Sequence, residues 1–184
     1  KKSWSQVSKI IIEKKNLVLN LINDNTTPSP DSLYGESKLL AEKHIAESKV
    51  SSTILRICGV FGRNGPDHLG LNCAISNVLH NKPPIIYGNG SGMRNYIFVE
   101  DLADLICETA LSPKLGTYCV AGKDILSFQN MVKAVCSRSR SSDGLKFISC
   151  DGSSTNSVVV EAIPSFIGRS SFDEALDSIF HLNS

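Results

Sequence analysis

Tyr34 and Lys38 lie four residues apart in the stretch Leu33-Tyr34-Gly35-Glu36-Ser37-Lys38-Leu39-Leu40-Ala41-Glu42. On a helix, a phenol and an ammonium at that spacing sit one above the other on a single face. A free phenol titrates at about pH 10, too high for a base at neutral pH, and a neighbouring ammonium favours the phenolate. The pair could then exchange a proton with a substrate hydroxyl, while the lysine donates to the hydroxyls of a cofactor. The bare Tyr-x-x-x-Lys pattern is short, and a surface helix with one exposed lysine explains it equally well. The downstream motifs have to decide.

The elements around the pair follow from pattern. Pro28 and Pro30 end what precedes, Asp31 or Ser32 can cap, and Leu33, Ser37, Leu40, Ala41 and His44 form one stripe opposite Glu36, Lys43 and Glu47. Upstream, residues 3–15 read as a helix with a Ser3/Gln6 capping box and Val7, Ile10, Ile11 and Lys14 in helical period. Residues 17–22 and 52–57 read as buried strands. Helix followed by strand, twice over, points to parallel β-α-β winding. Pro66 opens a helix bearing Leu71, Ala74, Ile75, Val78 and Leu79, which Pro83 and Pro84 stop. Strands at 85–87 and 96–99 flank the loop Gly88-Asn89-Gly90-Ser91-Gly92. A helix over 100–111, a strand over 117–121, a Ser127-capped helix, strands near 146–149 and 158–162, and a last helix from the Ser171/Glu174 capping box complete the chain.

The totals bound the function. The chain has 184 residues, enough for one domain or one and a half. A net charge of +1 argues against a nucleic-acid surface. No apolar run approaches the roughly 20 residues of a membrane span, and the N-terminus lacks a signal-peptide core. The six cysteines form no Cys-x-x-Cys pair and read as reduced core residues of a cytosolic protein. With the four histidines also scattered, no metal site is expected.

Gly59-x-x-Gly62-x-x-Gly65 has the outline of a dinucleotide fingerprint, since it follows a strand and precedes a helix. We read it otherwise. The carboxylate due about 20 residues later to hold a ribose is missing, and that region is Tyr87-Gly88-Asn89-Gly90.

Four motifs in order carry a resemblance: Tyr34-Gly35-Glu36-Ser37-Lys38, Leu55-Arg56-Ile57-Cys58-Gly59-Val60-Phe61-Gly62, Tyr87-Gly88-Asn89-Gly90, and Arg94-Asn95-Tyr96-Ile97-Phe98-Val99-Glu100-Asp101. From about residue 17 onward the chain resembles the extended short-chain dehydrogenase/reductases, the NAD-dependent epimerase/dehydratase group acting on nucleotide sugars. The resemblance implies an α/β fold. A partial Rossmann-type parallel sheet (residues 1–64) would precede a smaller substrate-binding lobe (65–184), with about 100–121 returning to the sheet. It implies Tyr34 as acid/base, and Lys38 holding the nicotinamide ribose and tuning Tyr34. Gly59 and Val60 would lie near an NAD or NADP nicotinamide. Arg94 would grip the pyrophosphate of a nucleotide-sugar substrate, with Gly59 and Asn72 also on the substrate side. Asp101 reads as structural. A homodimer through helices 3–15 and 32–48, or completion by an N-terminal segment, would provide the partner.

Three departures from the family pattern stand out. The Gly-rich turn that binds the cofactor pyrophosphate is not in this sequence, so a fragment, a truncated product or one piece of a split protein is expected, with an apolar sheet edge to cover. The catalytic serine or threonine is replaced by Asn23-Asp24-Asn25, with Thr26 and Thr27 the nearest hydroxyls. Gly59 stands where many members carry asparagine. The leading reading is an NAD(P)-dependent nucleotide-sugar epimerase/dehydratase-type oxidoreductase. The alternatives are a non-catalytic nucleotide-sugar-binding or interaction module and a 4-keto-sugar reductase.

Overall fold

The computed structural model describes residues 8–12, 17–139, 145–152 and 156–181. The chain starts with β1 (Ser8–Ile12), β2 (Leu17–Ile22), α1 (Leu33–Glu47), β3 (Thr53–Ile57), β4 (Val60–Phe61) and α2 (Gly70–Leu79). It continues with β5 (Ile85–Tyr87), β6 (Met93–Arg94), β7 (Ile97–Phe98), α3 (Val99–Leu111), β8 (Gly116–Val120), β9 (Leu126–Ser127) and α4 (Phe128–Cys136). The last elements are β10 (Ile148–Cys150), β11 (Val158–Val160), a 3-10 turn (Pro164–Phe166) and α5 (Phe172–His181).

Parallel pairing dominates. β3 runs beside β8 with Thr53 opposite Gly116 and Ile57 opposite Val120, and β4 runs beside β7, β10 beside β5 and β11 beside β2. The β3–β8 ladder is extended when Cys58 N donates to the Val120 carbonyl at 3.0 Å. α2, α4 and α5 close over the larger core, in which Phe61 lies against Phe98 and Phe172 with ring centroids 5.7 and 5.1 Å apart. A second core gathers Ile97, Leu102, Leu105, Val120 and Phe166 beside β8. These are the apolar positions of the helical and strand periods, and burying them is the main stabilising term.

Two expectations are corrected. The helix expected over 3–15 is a strand at 8–12, antiparallel to β2 with Ser8 opposite Leu21; residues 1–7 and 13–16 lie outside the described residues. Ile10-Ile11-Ile12 is a β-branched run, and pairing it with Leu17–Ile22 outweighs the weak helical period. The dimer surface expected from two helices therefore keeps only the second. The expected single parallel sheet containing 17–22, 52–57 and 117–121 is also divided: β2 lies between β1 and β11, while β3 and β8 form a separate two-stranded sheet.

Smaller shifts have local causes. Pro66 begins a turn, with Leu69 N bonded to the Pro66 carbonyl, and the helix itself starts at Gly70. α1 is capped by Ser32, whose Oγ accepts from Gly35 N at 3.2 Å, but it buries no residue, and its intended stripe is open, with Leu33 85% and Leu40 54% exposed. The Ser171/Glu174 capping box forms as expected; the Ser171 backbone N–H holds the Glu174 carboxyl below its ordinary range. Among the described residues no helix is long and apolar enough to cross a membrane.

Asp101, in the first turn of α3, is buried and accepts from Ser170 N and Ser170 Oγ, both at 2.8 Å. It ties α3 to the entry of α5. Asp101→Ala leaves two donors unmatched, and we expect a loss of about 2–4 kcal/mol. Thermal denaturation would show this as a Tm lower by roughly 5–15 °C, with little change in far-UV circular dichroism at 20 °C. An unchanged Tm would remove Asp101 from the framework.

Candidate active site

A first cleft of about 380 Å³ opens between α1, the loop after β2 and the ends of β3 and β8. Tyr34, Lys38 and Glu42, successive turns of α1, form one wall; Thr26, Pro28 and Pro30 form the facing loop; Arg56, Ile57 and Cys119 form the floor. Gly35 lets the loop close on the helix, since a Cβ there would come within 2.8 Å of the Pro30 Cβ. Tyr34 is 73% exposed, and the Lys38 ammonium lies 5.3 Å from its ring centroid. That is a cation–π arrangement on the wall of an open cleft.

Arg56 links the walls, and sequence reasoning passed over it. From β3 its Nε and Nη2 donate to Glu42 Oε1 and Oε2 at 3.0 and 2.7 Å, and its Nη1 donates to the Thr26 carbonyl at 3.4 Å. The hydrogen bond with Glu42 raises the guanidinium pKa above its usual range. Two signals were available: a lone charge inside Ile54-Leu55-Arg56-Ile57, and a carboxylate eight residues after Tyr34 on the same helix face.

Asn23, Asp24 and Thr26, which stand where a catalytic hydroxyl was expected, are engaged in structure. Asn23 Nδ2 donates to Glu161, and Asn23 Oδ1 accepts from Asn25 N. Asp24 Oδ1 accepts from Cys119 N at 2.6 Å. Thr26 Oγ1 accepts from Asn23 N at 2.9 Å and donates to Asn23 Oδ1 at 3.4 Å, closing a local turn. Thr26 lines the cleft, but its hydroxyl serves the loop. Burial pushes the Cys58 and Cys119 thiols up to about 11, so both stay protonated at neutral pH.

The glycine loop joins the two halves without lining either cleft. Gly62 N donates to Asn72 Oδ1 at 3.2 Å, Asn72 Nδ2 donates to the Val60 carbonyl at 3.3 Å, and Gly65 N donates to the Gly62 carbonyl. The N–H groups that a phosphate would need at Gly62 and Gly65 are thus taken, in keeping with our reading that this is not a dinucleotide fingerprint. Asn72 is buried at 3% exposure, and both ends of its amide serve the loop. Val60 is paired in β4 opposite Ile97. Any side chain at Gly59 would strike the Tyr96 ring, which is a physical reason for glycine at this position.

A second cleft, about 450 Å³, holds Arg94, Tyr87, Tyr96, Phe128, His68 and Asn77 among its walls. Arg94 Nη1 donates to the Met93 and Asn156 carbonyls at 2.8 and 2.6 Å. Those bonds fix the guanidinium plane and leave Nε and Nη2 without a protein acceptor among the described residues. The structure therefore brings Tyr34 and Lys38 together, and places Arg94 in the other cleft.

The NAD dependent epimerase/dehydratase family matches residues 17–120. The dTDP-glucose 4,6-dehydratase of Neisseria gonorrhoeae is 28% identical over 124 residues, covering 64% of this chain and 35% of that protein. The dTDP-L-rhamnose 4-epimerase of Burkholderia thailandensis is 28% identical over 123 residues, covering 61% and 34%. The chain thus spans about a third of the length of these curated relatives. Among solved structures, a UDP-glucuronic acid 4-epimerase from Bacillus cereus in complex with NAD superposes with a TM-score of 0.73 at 18% identity, over 89% of this chain and 56% of that one. A UDP-N-acetylglucosamine 4-epimerase from Bacillus cereus gives 0.74 at 20%, over 88% and 59%. At these identities the superpositions speak for the fold, a Rossmann-type α/β architecture, and the match over residues 17–120 speaks for descent: the chain belongs to the NAD dependent epimerase/dehydratase family.

Proposed function

We propose that this chain carries the proton-transfer face and the sugar-nucleotide lobe of an NAD(P)-dependent nucleotide-sugar epimerase/dehydratase-type oxidoreductase. The observation that carries the reading is Tyr34 on an open cleft wall with the Lys38 ammonium 5.3 Å from its ring. NAD or NADP, when bound, supplies the hydride acceptor. The donor set fits the ribose end of such a cofactor, because a phenol and an ammonium one helical turn apart match a pair of ribose hydroxyls. Tyr34 Oη takes the proton from the sugar hydroxyl as the carbon is oxidised and returns it on reduction. Lys38 orients the ribose. Arg94, held by two backbone carbonyls, keeps two nitrogens for the pyrophosphate, and a guanidinium fork suits that group. Gly59, Val60 and Asn72 act through the loop they build, residues 1–64 serve the cofactor side, and 65–184 serve the substrate.

A second reading has its own support. The Thr26 hydroxyl, the one nearest the expected place, is engaged in its own turn and not turned to Tyr34. On this reading the chain binds a nucleotide sugar without turning it over. Calorimetric titration of the 184-residue chain with UDP-, dTDP- and GDP-sugars, then with NAD and NADP, addresses both. We expect sugar-nucleotide binding in the micromolar to millimolar range. Sugar-nucleotide binding without nicotinamide binding favours the binding module, nicotinamide binding favours the enzyme, and no sugar-nucleotide binding overturns the assignment of the Arg94 cleft.

A further inference from the structure

Tyr34, Lys38 and Glu42 occupy successive turns of one face of α1, so Lys38 has a phenol ring one turn before it and a carboxylate one turn after it. The two attractions are similar in size. An exposed cation–π contact and a helical ion pair at this spacing are both weak, so a modest change in either moves the ammonium. A half-buried carboxylate with no other partner would compete for the ammonium more strongly than an exposed one. In the structure Lys38 lies over the ring and makes no ion pair with Glu42. Glu42 is held instead by both forks of Arg56, at 2.7 and 3.0 Å, and the two side chains are only 23% and 25% exposed. Arg56 comes from β3, which β8 holds in register, and it also reaches the Thr26 carbonyl of the facing loop. Among the described residues this is the ion pair that joins α1 to a strand, and α1 has no buried residue to anchor it otherwise.

We infer that Arg56 is a positioning residue: by holding the Glu42 carboxylate, it leaves the Lys38 ammonium on the Tyr34 side of the helix face. The inference rests on Tyr34 and Lys38 being the working pair. It is tested by NMR of the 184-residue chain, reading the upfield ring-current shift of the Lys38 ε-methylene protons, assigned by its loss in Lys38→Met. The shift is expected in the unmodified chain and in Glu42→Gln. It should fall by more than half in Arg56→Met and return in Arg56→Met/Glu42→Gln. A merely structural Arg56 predicts no return, because the double variant has lost the clamp as well. No fall in Arg56→Met, no return in the double variant, or loss of the shift in Glu42→Gln each overturns the inference. If Arg56→Met does not fold, Arg56→Lys replaces it: a lysine grips the carboxylate without the fork, so a smaller fall that Glu42→Gln reverses supports the inference, and no fall overturns it. The Tyr34 reading fails separately, when Tyr34→Phe keeps full turnover; the spectral outcome does not depend on turnover.

Discussion

Tyr34→Phe in the full-length protein is expected to lower turnover of a nucleotide sugar by about 10²–10⁴-fold, the usual contribution of a placed acid/base group. Cofactor affinity, measured by calorimetry, should change by less than about threefold. The reason is geometric. Tyr34 is 73% exposed, so no packing is lost, and phenylalanine keeps the ring over which the Lys38 ammonium lies. Only the hydroxyl disappears, and with it the group proposed to move the proton. The substitution is therefore cleaner here than at a buried tyrosine, where a hydrogen bond and a packing contact would be removed together. Unchanged turnover would end the acid/base role of Tyr34. A large loss of cofactor affinity would mean that the hydroxyl mainly binds the ribose.

Arg94→Ala is expected to weaken nucleotide-sugar binding by about 10–100-fold, the size of one or two charge-assisted hydrogen bonds. Nicotinamide binding should stay within about twofold, because Arg94 lines the second cleft while Tyr34 and Lys38 line the first. Arg94 also bonds the Met93 and Asn156 carbonyls, so a structural effect has to be separated. Arg94→Lys does this. A lysine keeps the charge and can reach one carbonyl, but it cannot present a fork to a pyrophosphate. Affinity for the sugar nucleotide should remain reduced in Arg94→Lys while Tm recovers. Equal losses for sugar nucleotide and nicotinamide in either variant would make Arg94 a structural residue.

Local elements were legible where a side chain answers a backbone need close in sequence. Ser32 caps α1, Ser127 caps α4 through Asn130 N, and the Ser171/Glu174 box opens α5, each as its spacing predicts. The Tyr34–Lys38 contact is of the same kind, since one helical turn suffices to create it. Pairing was less legible. Ile10-Ile11-Ile12 satisfies a weak helical period and a strand run alike, and only a partner, β2, settles the choice. Asn72 on α2 gives no local sign that its amide clamps a loop ten to twelve residues upstream, through Gly62 and Val60.

The sequence alone determined which chemistry is available: a phenol and an ammonium one turn apart, a guanidinium before Tyr96-Ile97-Phe98, and the helices that carry the apolar core. These depend on contacts within a few residues, where period and capping suffice. The tertiary structure alone decided how that chemistry is divided and held. It put Arg94 in a different cleft from Tyr34 and filled the space at Gly59 with the Tyr96 ring. It also set Arg56 against Glu42 across 14 residues of chain. Each of these is a contact between segments whose separation no local period encodes, and each is set by how the strands pair and by what the cores bury.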